Sequence, residues 1–159
     1  MPNKKLHFEI EINAPRERVW QNVIGKESYV VWTKPFSPDT PSMFEGGWNK
    51  GDEIRFVSTT DKGEQSGMFS RIAESRPPEY LSIEHRGIIT NGVVDTESEA
   101  AKAWVPAFEN YTLTEQNGGT LFAVDLDVDE TKYKQYAETF AGMWPAALAK
   151  LKEICEKDV

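Results

Sequence analysis

From residue 53 to residue 128 the apolar residues return at every second position, segment after segment, whereas residues 130–158 carry theirs at spacings of three and four. A period of two marks strands with one wet face, and a period near 3.6 marks an amphipathic helix. "DEIRFVST", "GMFSRIAES", "YLSIEHRGI", "WVPAFENYTLTE" and "TLFAVDLDV" read as strands, the last two joined by the hairpin signal "QNGG". A bulge is expected between Phe69 and Ile72, where the alternation slips. Upstream, "KLHFEIEI" is a further strand. "NAPRERVWQNVIGK" reads as a helix capped by Asn13, with Pro15 in its first turn and Val19, Trp20, Val23 and Ile24 on one face. "KESYVVWTKPF" is a second short helix that ends before Pro35. "SPDTPSMFEGGWNKG" reads as a loop broken by proline and glycine, and residues 90–102 as an acidic mobile lid or hairpin tip.

Strands grouped together, with helices segregated to the two ends, imply an α+β fold with an antiparallel sheet. Seven strands at about 4.8 Å make a sheet roughly 34 Å wide, whereas a helix with its side chains is about 10–12 Å across. One straight helix cannot cover that face. The sheet is therefore expected to curl around the C-terminal helix, with the two short helices closing one end and the remaining volume filled by large side chains or left as a cavity. Tyr133, Tyr136, Ala137, Phe140, Trp144, Ala147, Leu148, Leu151 and Ile154 form the stripe that faces this concave wall. Pro145 removes a donor within that helix, so a bend or split is expected near Gly142–Pro145.

Composition narrows the function. At 159 residues the chain is expected to be a single domain, residues 1–159, with a sizeable core. Its formal charge of −8, from 26 acidic and 18 basic residues, opposes nucleic acid and anionic lipid surfaces. No stretch approaches the roughly 20 apolar residues of a membrane span, and "MPNKKLHFEIEI" lacks the apolar segment of a signal peptide, so no membrane insertion and a cytoplasmic location are expected. Cys155 is the one cysteine and reads as a packed thiol. With two histidines, His7 and His85, no metal site and no cofactor are expected. "DLDVDE" lacks the pattern of a calcium loop and "EGGWNKG" that of a phosphate loop.

The candidate site is the lining of the expected hollow: Trp32, Met43, Phe44, Trp48, Phe56, Ile83, His85, Glu109, Tyr111 and Trp144. Large rings at these periods also serve as plain core, so the same residues can be read as packing. Glu109 stands out. It shares a face with Tyr111, Leu113, Phe122, Val124, Leu126 and Val128, and a carboxylate there needs a partner or a raised pKa. His85 and Glu109 are the titratable residues on the inner faces, an acid/base pair with Tyr111 nearby or simply a means of orienting a ligand. No catalytic assignment is firm on these residues alone.

"INAPRERVWQNV", the tryptophan closing the second helix, "PPEYLSIEH", "NYTLTEQNGGT" and "WPAALAKLK" together resemble the START-like, or SRPBCC, superfamily along essentially the whole chain. Within it the chain looks most like the branch named after the C-terminal domain of the activator of heat-shock protein 90 ATPase. The resemblance implies the helix-grip fold also seen in birch-pollen allergens: a seven-stranded antiparallel sheet around a long C-terminal helix, with two short helices after the first strand and a mostly apolar pocket. Three functions follow as expectations. The first is a carrier of a small apolar or aromatic molecule such as a lipid, polyketide or flavonoid-like compound; the second is a cyclase or dehydratase acting in the same cavity. The third is a chaperone-regulating module, although the eukaryotic activator grips its chaperone with an additional N-terminal domain for which 159 residues leave no room.

Overall fold

The computed structural model describes residues 3–36, 40–59, 62–102, 107–129 and 133–157. Strand β1 (Asn3–Ile12) is followed by helices α1 (Arg16–Ile24) and α2 (Lys26–Trp32) and a 3-10 turn at Lys34–Phe36. Strands β2 (Ser42–Gly46), β3 (Glu53–Thr59), β4 (Gln65–Arg76), β5 (Tyr80–Thr90) and β6 (Val93–Asp95) come next, then a helical turn α3 (Glu99–Lys102). The chain closes with β7 (Ala107–Gln116), β8 (Gly119–Asp129) and the long helix α4 (Tyr133–Glu156). All strand pairs are antiparallel, in the order β1-β8-β7-β5-β4-β3-β2, with β6 paired to β5. This curved sheet around α4, closed by α1 and α2, is the α+β arrangement expected from the periodicity and the helix-grip fold that the resemblance implies.

The inner face is the apolar set of each alternation. Leu6 pairs with Leu126, Tyr111 with Val124 and Leu113 with Phe122, all buried. Val19, Trp20 and Val23 of α1 and Tyr29 and Trp32 of α2 join Trp144, Ala147, Leu148 and Leu151 of α4 in one core with them. Each side chain of this size adds about 1.5–3 kcal/mol when fully removed from water, so the core rather than helix propensity holds α1 and α2 in place. Asn117 and Gly118, at φ +53° and +83°, form the two-residue turn between β7 and β8; both positions need the left-handed region that asparagine and glycine tolerate best.

Several sequence expectations are corrected. For residues 90–102 the hairpin alternative holds: Ile88–Thr90 pair with Val93–Asp95, and the helical turn α3, not foreseen, follows with Ala101 fully buried. Part of the expected proline- and glycine-broken loop is the edge strand β2, whose Phe44 pairs with Phe56. Asn13 does not cap α1. Pro15 occupies that position, and the Asn13 N–H donates to Glu156 Oε2 at 2.7 Å, tying the end of β1 to the last turn of α4. Residues 104–106 of the expected strand "WVPAFENYTLTE" lie outside the described residues.

Helix α4 does not split at Pro145. Ala141, Gly142, Pro145 and Ala146 are all exposed, while Trp144 is buried. The proline thus sits on the wet side, where the Ala141 carbonyl it deprives of a partner is open to water rather than orphaned in the core. Cys155, also in α4, is fully buried, and burial pushes its thiol up to about 11.

On the outer face of β1, His7 Nδ1 lies 2.7 Å from Asp125 Oδ1 and Nε2 lies 2.8 Å from Glu9 Oε1. The hydrogen bond to Asp125, then that to Glu9, raises the His7 pKa above its usual 6.5. The protonated form is the one the fold favours, so the stabilisation is complete below about pH 6.5 and is lost as pH rises through the higher folded-state value. Since the side chain is half exposed, the contribution is expected to stay below about 1 kcal/mol. An NMR titration of the His7 ring should show a midpoint above 6.5, and His7→Gln should remove the matching loss of stability between mildly acidic and alkaline buffer.

Candidate functional site

Register places a carboxylate inside an otherwise aliphatic row. Ile72 pairs with Ile83, Ile83 with Glu109, Glu109 with Leu126 and Leu126 with Leu6, so five strands contribute to one line across the inner face. The four aliphatic members are at most 7% exposed. A charge in such surroundings persists only with hydrogen-bond donors supplied. Tyr111, two residues along the same strand and therefore on the same face, donates its phenol to Glu109 Oε2. From the neighbouring strand, His85 Nε2 reaches Glu109 Oε1 at 3.3 Å, and the other ring nitrogen lies 2.8 Å from the Ser70 hydroxyl.

Two register shifts produce that last contact. The β4–β5 pairing slips between Phe69 and Ser70, in the segment where a bulge is expected from sequence, and again just beyond it, between Ile72 and Glu74. The shift brings Ser70 opposite His85, and Ser70 is completely buried. Each member of this hydrogen-bonded series has a partner when the Ser70 hydroxyl donates to Nδ1 and the Nε2 hydrogen of His85 donates to Glu109. Burial, reinforced by the charge of Glu109, drives the Tyr111 pKa well above 10, and Tyr29 is raised for the same two reasons. Both phenols therefore remain protonated, and that of Tyr111 serves as a donor to Glu109.

Beside this polar group lies a cavity of about 400 Å³. Helix α4 packs mainly on β1, α1, α2 and the 3-10 turn, and the cavity is the space left between it and the β3–β5 side of the sheet. Seven of the ten residues expected from sequence line it: Trp32, Met43, Phe56, His85, Glu109, Tyr111 and Trp144. The other three are elsewhere. Phe44 is 7% exposed and packs edge-on against Tyr29 at 5.2 Å and Trp48 at 4.9 Å, behind the wall. Trp48 in turn lies 5.8 Å from the Phe56 ring, and Ile83 is fully buried in the row beneath Glu109. Trp144 joins the two halves of the wall, with ring centroids of Phe36 at 4.9 Å, Trp32 at 6.2 Å, and Phe8 and Tyr111 at 6.3 Å.

Tyr29, Phe36 and Met68 are lining residues that the sequence reading did not single out, and Phe140, named there only as part of the α4 stripe, lines the cavity as well. Tyr29 was findable, since it stands three residues before Trp32 on the same helix face. Ser70 was not, because only the register shift turns it toward His85. Nearer the solvent, register aligns Ser42, Ser58 and Ser66 on three neighbouring strands, a hydroxyl row that also lines the cavity. Among the described residues no group of three or more histidine, cysteine or acidic side chains is placed to hold a metal ion, and no helix is long and apolar enough to cross a membrane.

The phenol of Tyr111 has a measurable role. Tyr111→Phe leaves the Glu109 carboxylate short of a donor in an apolar row, and the expected cost is about 1–3 kcal/mol in urea unfolding. A variant as stable as the parent would show that Glu109 turns to water instead.

Known proteins give the same picture. Residues 13–156 match the family model described as activator of Hsp90 ATPase homolog 1-like protein. No curated protein is similar to the chain in sequence. A solved protein of Nitrosomonas europaea superposes with a TM-score of 0.73 at 14% identity, over 98% of this chain and 96% of its own. One from Rhodobacter sphaeroides gives 0.72 at 20% identity, over 98% and 93%. One from Mycobacterium smegmatis gives 0.72 at 17% identity, over 100% and 99%. At such identities the superpositions establish the fold alone. The family match over nearly the whole chain, on a sheet that grips its C-terminal helix, makes this protein a member of the START-like family of activator of Hsp90 ATPase homolog 1-like proteins.

Proposed function

We propose that the protein binds a small, largely apolar or aromatic molecule, of the lipid, polyketide or flavonoid type, between the sheet and α4. The observation that carries this reading is the cavity of about 400 Å³, walled by rings and sulfur-bearing side chains, with one hydrogen-bonded polar group at Glu109. Pockets of this size that combine apolar walls with a few convergent polar atoms suit small-molecule ligands. The apolar wall supplies affinity and the Glu109 group fixes orientation.

Trp32 and Trp144 both line the cavity and report on its contents. Intrinsic fluorescence titrated with a panel of lipids, polyketides and flavonoids is expected to respond saturably to at least one class, with amide shifts in β3, β5 and α4. A panel that leaves both signals unchanged would overturn the reading.

The chain Ser70–His85–Glu109–Tyr111 favours one further reading, a cyclase- or dehydratase-type enzyme in the same cavity. Ser70 is sealed from the cavity by its burial, so it positions His85 rather than attacking a substrate. The His85–Glu109 pair would hold and return a proton. Glu109→Gln should then abolish turnover and leave affinity for a neutral substrate nearly intact, whereas equal loss of binding and folding would assign Glu109 a structural role.

A further inference from the structure

Among the described residues, the carboxylates that line the cavity are those of Glu109 and Asp127, and neither lysine nor arginine joins them there. Asp127 is already neutralised by Lys5, whose Nζ lies 2.6 Å from Oδ1. Among the described residues, Glu109 pairs with no lysine or arginine, and its ion-pair partner is His85. Its partners are the phenol of Tyr111 and an imidazole nitrogen of His85, both hydrogen-bond donors that solvate the charge without cancelling it when His85 is neutral. A carboxylate offers about four acceptor positions, and these two donors use two, so room remains for a donor from a guest. The surrounding walls present the faces and edges of Tyr29, Phe56 and Trp144. Aromatic faces attract cations, and a desolvated carboxylate does so more strongly than an exposed one.

Building on the binding role proposed above, we infer that this cavity selects an organic cation: a small molecule with a hydrophobic body and a protonated amine, seated as an ammonium on Glu109 with its body against the rings of Tyr29, Phe56 and Trp144. A neutral alcohol can donate one hydrogen bond to Glu109 but brings no charge, and a carboxylate-bearing guest such as a fatty acid sets like charge against like. The expected order of affinity is therefore amine, then alcohol, then acid.

Three probes that share one body separate the possibilities: 1-naphthylmethylamine, 1-naphthalenemethanol and 1-naphthaleneacetate, each titrated calorimetrically into the folded full chain at neutral pH. The amine is expected to bind at least about tenfold more tightly than the alcohol, and the acid at least about tenfold more weakly. Glu109→Gln keeps the side-chain volume and an acceptor for Tyr111. It should bring amine and alcohol to within about threefold of each other while the acid gains affinity. An acid that binds the unaltered protein as well as the amine does overturns the cation assignment. If the alcohol binds and the amine has no advantage, the cation assignment falls and the binding role stands; if none of the three binds, both fall. The comparison within the unaltered protein decides the matter even where Glu109→Gln fails to fold.

Discussion

Replacing Trp144 with alanine is expected to lower stability by about 3–5 kcal/mol, the range for removing a large buried ring. The indole is 4% exposed and touches four other rings that come from β1, α2, the 3-10 turn and β7. The void left would open into the existing cavity rather than collapse. For a chain of this length the melting temperature should fall by roughly 6–20 °C. Trp144→Phe, which keeps a ring against Phe36, should recover more than half of the loss. A melting point changed by only a degree or two would mean that the aromatic wall rearranges freely and that the cavity geometry is not a property of the fold.

A second large effect is expected from the smallest side-chain addition. Gly67 lies in β4 between Val57 and Ile89, with φ +158°, and a Cβ at this position would stand 1.8 Å from the Phe56 carbonyl oxygen and 2.8 Å from its carbon. Those atoms are backbone, so no flexible side chain can swing aside. Gly67→Ala must push β3 and β4 apart at the rim of the cavity, and about 3 kcal/mol or more of destabilisation is expected, with faster amide exchange along the β3–β4 pairing. Ser66→Ala, one residue away and exposed, serves as the control and should stay within about 0.5 kcal/mol. Equal behaviour of the two variants would show that the strand pairing yields at no cost.

Much of the architecture is legible without coordinates because it depends on period. The alternation in β1, β3, β5, β7 and β8 assigns most of the inner face, although Val57 and Ser82 are buried on the faces it leaves wet, and Trp144, Ala147, Leu148 and Leu151 of the α4 stripe pack as expected. What escapes is what depends on neighbours. Strand β2 has five residues between turn-forming segments, and only its pairing with β3 makes it a strand. Pro145 was expected to bend or split α4, and the helix runs through it unsplit, with the proline on the exposed side, a placement that the lost donor alone does not reveal. Phe44 and Ile83 carry the right residue type and face for lining a cavity, yet packing seals both behind other side chains.

The candidate site divides along the same boundary. Glu109, Tyr111 and His85 could be placed on one inner wall from alternation alone, since side-chain direction in a strand is a local property of the backbone. Ser70 joins them through a slip in pairing between two strands, which no single-strand pattern contains. The sequence by itself therefore determined that a broad sheet must close around one helix and that a carboxylate must face the interior. Only the tertiary structure decided which donors hold that carboxylate, which rings fill the space and which leave it open, because those outcomes are set by contacts between segments far apart in the chain.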